Sequence, residues 1–422
     1  MKRENFSSAF LSATIFRTVA ALSLAMFLSG ILASAATYST IFRFSGVNGL
    51  QSRFGMVADS QGNFYGVTSS GGSNACLPKG CGVVFELSPT TGGGWTEKVI
   101  YAFKGAPSDT AFPTTDLIFD AHGNLFGGTN SPSGAGAIFE LTPSSGSAWT
   151  EKLIFNFSAV YFSPTGQLAF DSKGNLYGTV IGGPTFENYG GVYEISPQSN
   201  GTWQANLIHG FTNTNGDGYQ PLGGVVVDGV GNVYGTTYRG GANNWGIVYE
   251  LTPNSGTFTE KILHTFTNST DGSYPNVPLM IDGSGNLYGT TTGGGPVDNP
   301  YGLVYELSPS GSTWTQTVLY NFAPYPAASG GSNVVFDSRG NLYGTTQAGG
   351  TQCNGPGCGT VFRLTPQTSG PWKSTTLHTF ASAGDGSLPV AGVVLDSAGN
   401  IYGITEFGGD RDGKGTIFEI QP

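Results

Sequence analysis

Asp282-Gly283-Ser284-Gly285-Asn286-Leu287-Tyr288-Gly289 decides the fold, because its pattern, Asp-x-x-Gly-Asn-(aliphatic or Phe)-(Tyr or Phe)-Gly, recurs seven times. The copies begin at Asp59, Asp120, Asp171, Asp228, Asp282, Asp337 and Asp396, spaced 61, 51, 57, 54, 55 and 59 residues apart. Self-similarity at a period near 50 marks a repeat architecture. In each copy the Asp carboxylate can accept turn amide hydrogens, and the glycine can take the positive φ a tight hairpin requires.

Working outward, a short apolar segment precedes each Asp, as in Val225-Val226-Val227 or Val334-Val335-Phe336. It reads as a buried strand, a. The Asn-Leu-Tyr-Gly-Thr-Thr type segment after the turn alternates in a period of two and forms strand b. A glycine pair and a loop of variable length lead to strand c, whose copies (83 to 87, 137 to 141, 192 to 195, 247 to 251, 303 to 307, 360 to 364 and 416 to 420) each end at Ser/Thr/Gln-Pro, where proline closes the strand. Strand d is led by Trp95, Trp149, Trp203, Phe258, Trp314 and Trp372, each eight residues before Phe103, Phe157, Phe211, Phe266, Phe322 and Phe380. Four strands per unit with no helical periodicity describe a propeller blade.

Strands a, b and c occur seven times, but only six copies of d follow them. Residues 37 to 44, with Ile41-Phe42-Arg43-Phe44, match the d pattern. The expectation is an all-β, seven-bladed propeller over residues 36–422, its ring closed by the N-terminal strand joining the C-terminal blade.

These residues resemble the choice-of-anchor tandem repeat proteins called GloVer (gloeo/verruco repeat) proteins. The resemblance rests on Gly-Asn-Leu-Tyr-Gly-Thr-Thr, the following Gly-Gly, and Gly-x-Val-Phe/Tyr-Glu-Leu-x-Pro, and it covers essentially all of 37 to 422. It implies an exported bacterial repeat protein, often with a C-terminal sorting segment. This chain ends on strand c without a hydrophobic tail, so anchoring by that route is not expected. The repeat is also similar, more distantly, to kelch propellers.

The first 35 residues carry Lys2, Arg3 and Arg17, an apolar run from Val19 to Leu32, and Ala33-Ser34-Ala35. That is the layout of a cleavable signal peptide, and the run is shorter than the roughly 20 residues a spanning helix needs. The expected destination is secreted, periplasmic or extracellular, with no membrane span after cleavage and a monomeric state. Cleavage would remove three basic residues and Glu4, taking the formal net charge from -10 to -12. An acidic chain with no basic cluster is not a nucleic-acid binder.

The repeat serves as an internal control on candidate chemistry. His209, His264 and His378 share a strand-d slot filled elsewhere by Phe42, Tyr101, Phe155 and Tyr320, so they read as packing aromatics, and His122 sits at a turn tip. A histidine base, a histidine-ligated metal or a cofactor is not expected on that reading. Cys76/Cys81 and Cys353/Cys358, each pair spaced by four residues before strand c, read as two local disulfides, each worth about 2 kcal/mol. A four-cysteine zinc site would have to bridge blades that are not neighbours. The repeated Asp residues read as turn caps, the strand-c glutamates as structural, and the Glu-Lys pairs at 97/98, 151/152 and 260/261 as edge protection on the outermost strand. Asn213 to Gly218 and Asp410 to Gly413 resemble fragments of calcium loops but lack the closing glutamate, and read as turns.

With strand a innermost, the d-to-a and b-to-c loops share one face. They vary in length and carry irregular aromatics, the kind of surface that stacks on sugars. Tyr161, Tyr219, Trp245, Tyr274 and Tyr325, with Asp217 and Asp271, are the candidate ligand-binding residues. The expected function is a non-catalytic binding module for a glycan or surface polymer. The alternative is a propeller lyase or hydrolase on the same face, for which Arg53, Asp109, Asp116, Asp217, Arg239, Asp271 and Asp385 are the candidate ionisable cluster.

Overall fold

The computed structural model describes residues 36–422, apart from 73–75, 77, 106–108, 131–135, 145–147, 158–161, 183–188, 297–300, 324–330, 351–352, 354–356, 382–383 and 410–412. The expected signal peptide, Tyr161, Tyr325 and the 410 to 412 fragment lie outside the described residues. Seven antiparallel sheets, each with four strands ordered a-b-c-d and the second widened by the short strand Ala111–Pro113, form a seven-bladed propeller. In the seventh, Thr37–Arg43 supplies strand d and pairs antiparallel with Thr416–Gln421, with Tyr38 opposite Ile420 and Arg43 opposite Thr416.

The repeated motif accounts for its own residues. Asp282 Oδ1 accepts the backbone N–H groups of Ser284 and Asn286, while Oδ2 accepts the Asn286 side-chain amide and the Tyr288 hydroxyl. The same amide pattern holds at Asp59, Asp120, Asp171, Asp228, Asp337 and Asp396. The turn glycines have φ between 81° and 95° in all seven copies. The second glycine is needed for space. A Cβ at Gly289 would lie 2.5 Å from the Tyr305 hydroxyl, and one at Gly66 would lie 2.5 Å from the Phe85 ring, because the aromatic of strand c lies across it.

Seven apolar clusters fill the seven seams between neighbouring blades. Each contains one strand-d phenylalanine set edge-to-face against the strand-c aromatic of the next blade. Phe103 meets Phe139 at 5.3 Å, Phe211 meets Tyr249 at 5.2 Å, and Phe322 meets Phe362 at 5.5 Å. At the closing seam the N-terminal Phe44 meets Phe85 at 5.5 Å, so the chain's first strand packs as its counterparts do. Edge-to-face pairing adds to the hydrophobic gain of burying these rings.

Cys76 is bonded to Cys81 and Cys353 to Cys358, as the spacing predicts. Both bonds lie in b-to-c loops. The Cys81 and Cys358 carbonyls accept the backbone N–H groups of Phe112 and Leu388, so each disulfide steadies a contact to the next blade.

One expectation fails. Glu97, Glu151 and Glu260 do not guard an outer edge, because their side chains turn into the seams between strands d. Glu97 accepts from Asn48, and the Glu260 side chain is only 18% exposed. Alternation along strand d sends every second residue toward the neighbouring blade, and these glutamates occupy that register.

Candidate functional site

The d-to-a and b-to-c loops meet on one face. Leu50 pairs with Ser70, Ser273 with Gly293, and Ser387 with Phe407, while Gly218–Tyr219 forms a short ladder with Arg239–Gly240. A second contact links the blades here. The backbone N–H groups of Gln51, Phe112, Gln220, Tyr274 and Leu388 donate to the carbonyls of Lys414, Cys81, Tyr189, Trp245 and Cys358. All five donors have φ between 53° and 60°, a conformation that is costly for a residue with a side chain. Its recurrence around the ring makes the strain a property of the scaffold and not of one site.

Blade 4 is where the sequence candidates converge. Its b-to-c loop is held from both sides, by Tyr238 N–H donating to the Gln220 carbonyl and Tyr274 N–H donating to the Trp245 carbonyl, both at 2.9 Å. The rings of Tyr238 and Tyr274 stack at 4.9 Å with 27° between planes, and Trp245 sets its edge to Tyr274 at 4.9 Å. The Arg239 guanidinium lies 5.6 Å from the Tyr238 ring centre and 5.2 Å from that of Tyr274, within cation–π range. All four side chains are half-buried. Tyr219, paired through its backbone with Arg239, instead turns its ring edge-on to Tyr189 at 5.6 Å and serves the blade 3 to blade 4 seam. Sequence reasoning missed Tyr238. Its strand-b slot holds Ser69, Thr292, Gln347 or Glu406 in other blades, and that break in the repeat was the available signal.

The candidate acids scatter. Asp217 accepts the N–H and hydroxyl of Thr212 and the N–H of Gly218, and Asp271 accepts the N–H and hydroxyl of Thr267, so both cap their own loops. Asp109 takes the Tyr101 hydroxyl and the Lys104 N–H. Asp385 takes the Ala381 N–H and lies 3.0 Å from His378 Nε2. Burial opposes ionisation of Asp385, but His378 and the Ala381 N–H outweigh it and hold the carboxyl below the usual range. Arg53 is paired with the buried Glu406 at 2.6 Å.

Asp116 alone of this set lines the axial cavity of ≈ 190 Å³ formed by strands a, together with Gln167 and Asn333. Burial pushes its carboxyl above the ordinary range, against the pull of the Gly55 N–H at 2.7 Å. Among the described residues, the face thus offers a stacked aromatic platform with the Arg239 cation, and the axial cavity the Asp116 carboxyl.

No curated protein matches the chain by sequence. Among solved structures, the type-IX secretion surface component PorZ of Porphyromonas gingivalis is similar over 89% of this chain and 46% of its own length, at 16% identity and TM-score 0.50. A putative 6-phosphogluconolactonase from Bacteroides uniformis is similar over 80% of this chain and 88% of its own, at 13% identity and TM-score 0.49. A gluconolactonase from Xanthomonas campestris matches 74% of this chain and 86% of its own, at 14% identity and TM-score 0.42. At such identities the likeness concerns the fold alone. The model of the Gloeobacter/Verrucomicrobia repeat matches residues 30–244 and 220–422, which together span the whole propeller, and the chain belongs to that repeat family.

Proposed function

We propose that this protein is an exported, monomeric, non-catalytic binding module that holds a glycan or similar surface polymer on its loop face at blade 4. The observation that carries this reading is the Tyr238, Arg239, Trp245 and Tyr274 platform, half-buried on the face where loops vary. Aromatic faces pack on the apolar side of a sugar ring, and a guanidinium donates to its hydroxyls or to an acidic substituent. The acids nearby are engaged with their own loops, which favours recognition over turnover. Export is supported by the signal-like N-terminus and the two disulfides. Among the described residues no helix is long and apolar enough to cross a membrane.

The test is a glycan-panel screen of the chain from residue 36, followed by titration of the best ligand. Tyr238→Ala combined with Trp245→Ala should weaken binding at least tenfold with little change in Tm. Unchanged affinity would remove blade 4 from the reading. Asp116 supports the alternative of a hydrolase or lyase, because a carboxyl that burial makes a weaker acid, set on the axial cavity, is suited to general-acid chemistry. Release of product by the parent chain, lost in Asp116→Asn, would establish that reading instead.

A further inference from the structure

The seam between the d strands of blades 3 and 4 differs from its counterparts. Where the loop is described, a seam brings together the aromatic-or-histidine slot of one strand d, the following d-to-a loop, and the second residue after the position that leads the next strand d. Between blades 1 and 2 these are Tyr101, Asp109 and Glu151, and the tyrosine hydroxyl closes the gap by donating to Asp109 at 2.8 Å. Between blades 4 and 5 they are His264, Asp271 and Gln316, with an amide in place of the acid and histidine 3.3 Å from Asp271. Between blades 6 and 7 they are His378, Asp385 and Tyr38, with histidine 3.0 Å from the carboxylate and the tyrosine stacked on it. Only between blades 3 and 4, among the described residues, do histidine, aspartate and glutamate coincide, as His209, Asp217 and Glu260.

There the gap stays open. His209 Nε2 is 3.8 Å from Asp217 Oδ1 and 3.6 Å from Glu260 Oε1, beyond hydrogen-bond reach, and the three atoms lie within 4.8 Å of one another. Nε2 and Oε1 are both buried with no hydrogen-bond partner among the described residues. Two such atoms facing one another are costly unless something lies between them. With zinc bonds of about 2.0–2.2 Å, tetrahedral ligand atoms stand roughly 3.4 Å apart, so the two spacings from Nε2 need close by only a few tenths of an ångström, while the two carboxylate oxygens start within 4.8 Å of one another.

The surroundings fix the donors. Asp217 is oriented by the N–H and hydroxyl of Thr212 on Oδ2 and the Gly218 N–H on Oδ1. The His209 ring is set edge-to-face on Phe211 at 4.7 Å. Such outer contacts hold a ligand set in place before the ion arrives.

We infer that His209, Asp217 and Glu260 form a binding site for one divalent transition-metal ion of the zinc type, which staples blade 3 to blade 4. Two carboxylates and a neutral imidazole give the site a formal charge that a divalent cation balances, and the nitrogen-oxygen donor set suits zinc. His209 and Glu260 lie on outer strands d and Asp217 on the d-to-a loop whose backbone pairs with Arg239–Gly240, so the site adjoins the blade 4 platform and is absent from the lining of the axial cavity.

The experiment uses untagged protein from residue 36, stripped with chelator and titrated with zinc at pH 7.5 by calorimetry, with metal content and Tm measured in parallel. One zinc per chain and a Tm that rises with zinc are expected. His209→Phe copies the residue at Phe155, and Glu260→Gln copies Gln316, so both replace a slot with a residue the fold already accepts there. Each should weaken zinc binding at least tenfold and abolish the zinc-dependent rise in Tm while leaving the metal-free Tm near that of the parent. No binding by the parent at millimolar zinc, or binding that survives both substitutions, overturns the site. A parent Tm that does not respond to zinc also overturns it.

Discussion

Tyr38 stacks on His378 with ring centroids 3.7 Å apart and planes 9° apart, although the two residues lie at opposite ends of the chain. The N-terminal strand is therefore joined sideways to blade 6 as well as edge-on to strand c of blade 7. Its Phe44 is 1% exposed in the seam with blade 1. Phe44→Ala should cost about 3–5 kcal/mol in denaturant unfolding, the range for emptying a phenylalanine site in a packed core. Deleting residues 36 to 44 should leave the edge of Thr416–Gln421 bare, and size-exclusion chromatography should then show association.

Removing one turn carboxylate tests the motif. Asp282→Ala should lower stability by about 1–2 kcal/mol, since a charged acceptor serving four donors is lost. Burial works against ionisation of Asp282, but the side-chain and backbone N–H groups of Asn286 and the N–H of Ser284 outweigh it and depress its pKa. A depressed carboxyl stabilises the fold above its unfolded pKa near 3.8 and loses that contribution as pH falls through the folded value. The gap in stability between parent and mutant should accordingly hold from pH 5 upward and shrink below pH 4.

Glu151 should give the opposite pH response. Burial first, and then the charge of Asp109, raise its pKa to about 7, with Lys104 opposing. A raised carboxyl contributes stability that is complete below its unfolded pKa near 4.5 and is lost as pH rises through about 7. Glu151→Gln should therefore be little different from the parent at pH 4.5 and more stable than it at pH 8, as read by Tm across that window.

Tyr305 fills a slot that holds Phe85, Phe139, Phe362 and Phe418 in other blades, and its buried hydroxyl has no hydrogen-bond partner among the described residues. Tyr305→Phe should be neutral or stabilise by up to about 1 kcal/mol, because it removes a buried unpaired polar group without emptying the ring's space. A loss of more than 1 kcal/mol in denaturant unfolding would show that the hydroxyl has a partner.

What could be read from the sequence was whatever the chain encodes locally or by count. Asp, Gly and Asn act within four residues of one another, so their roles follow from the motif itself. Thr37–Arg43 was found by the missing seventh strand d, and the disulfides by their spacing. Glu260 was misread because its meaning depends on which side of strand d faces the next blade, a relation between residues some 50 positions apart. His209 was read as a packing aromatic, and its ring is set edge-to-face on Phe211, but its slot gave no hint that Asp217 and Glu260 converge on its Nε2. Trp245 and Tyr274 do meet, through loops of adjacent blades, while Tyr219 is spent on packing against Tyr189.

The pairing of Arg43 with Thr416 also sets an order of events in folding. Six blades are built from neighbouring hairpins, each closed over a few residues, whereas the seventh must join segments roughly 370 residues apart. On the chain-closure scaling, making that join before the blades have folded would carry about 5 kcal/mol of length-dependent entropy, against about 1–2 kcal/mol for a short hairpin. The seam therefore forms last, and only once residue 421 is free to reach the first strand. A chain still being synthesised exists as an open arc with two bare blade faces. The interval before closure is when the protein is most exposed to proteolysis and to pairing with its own copies.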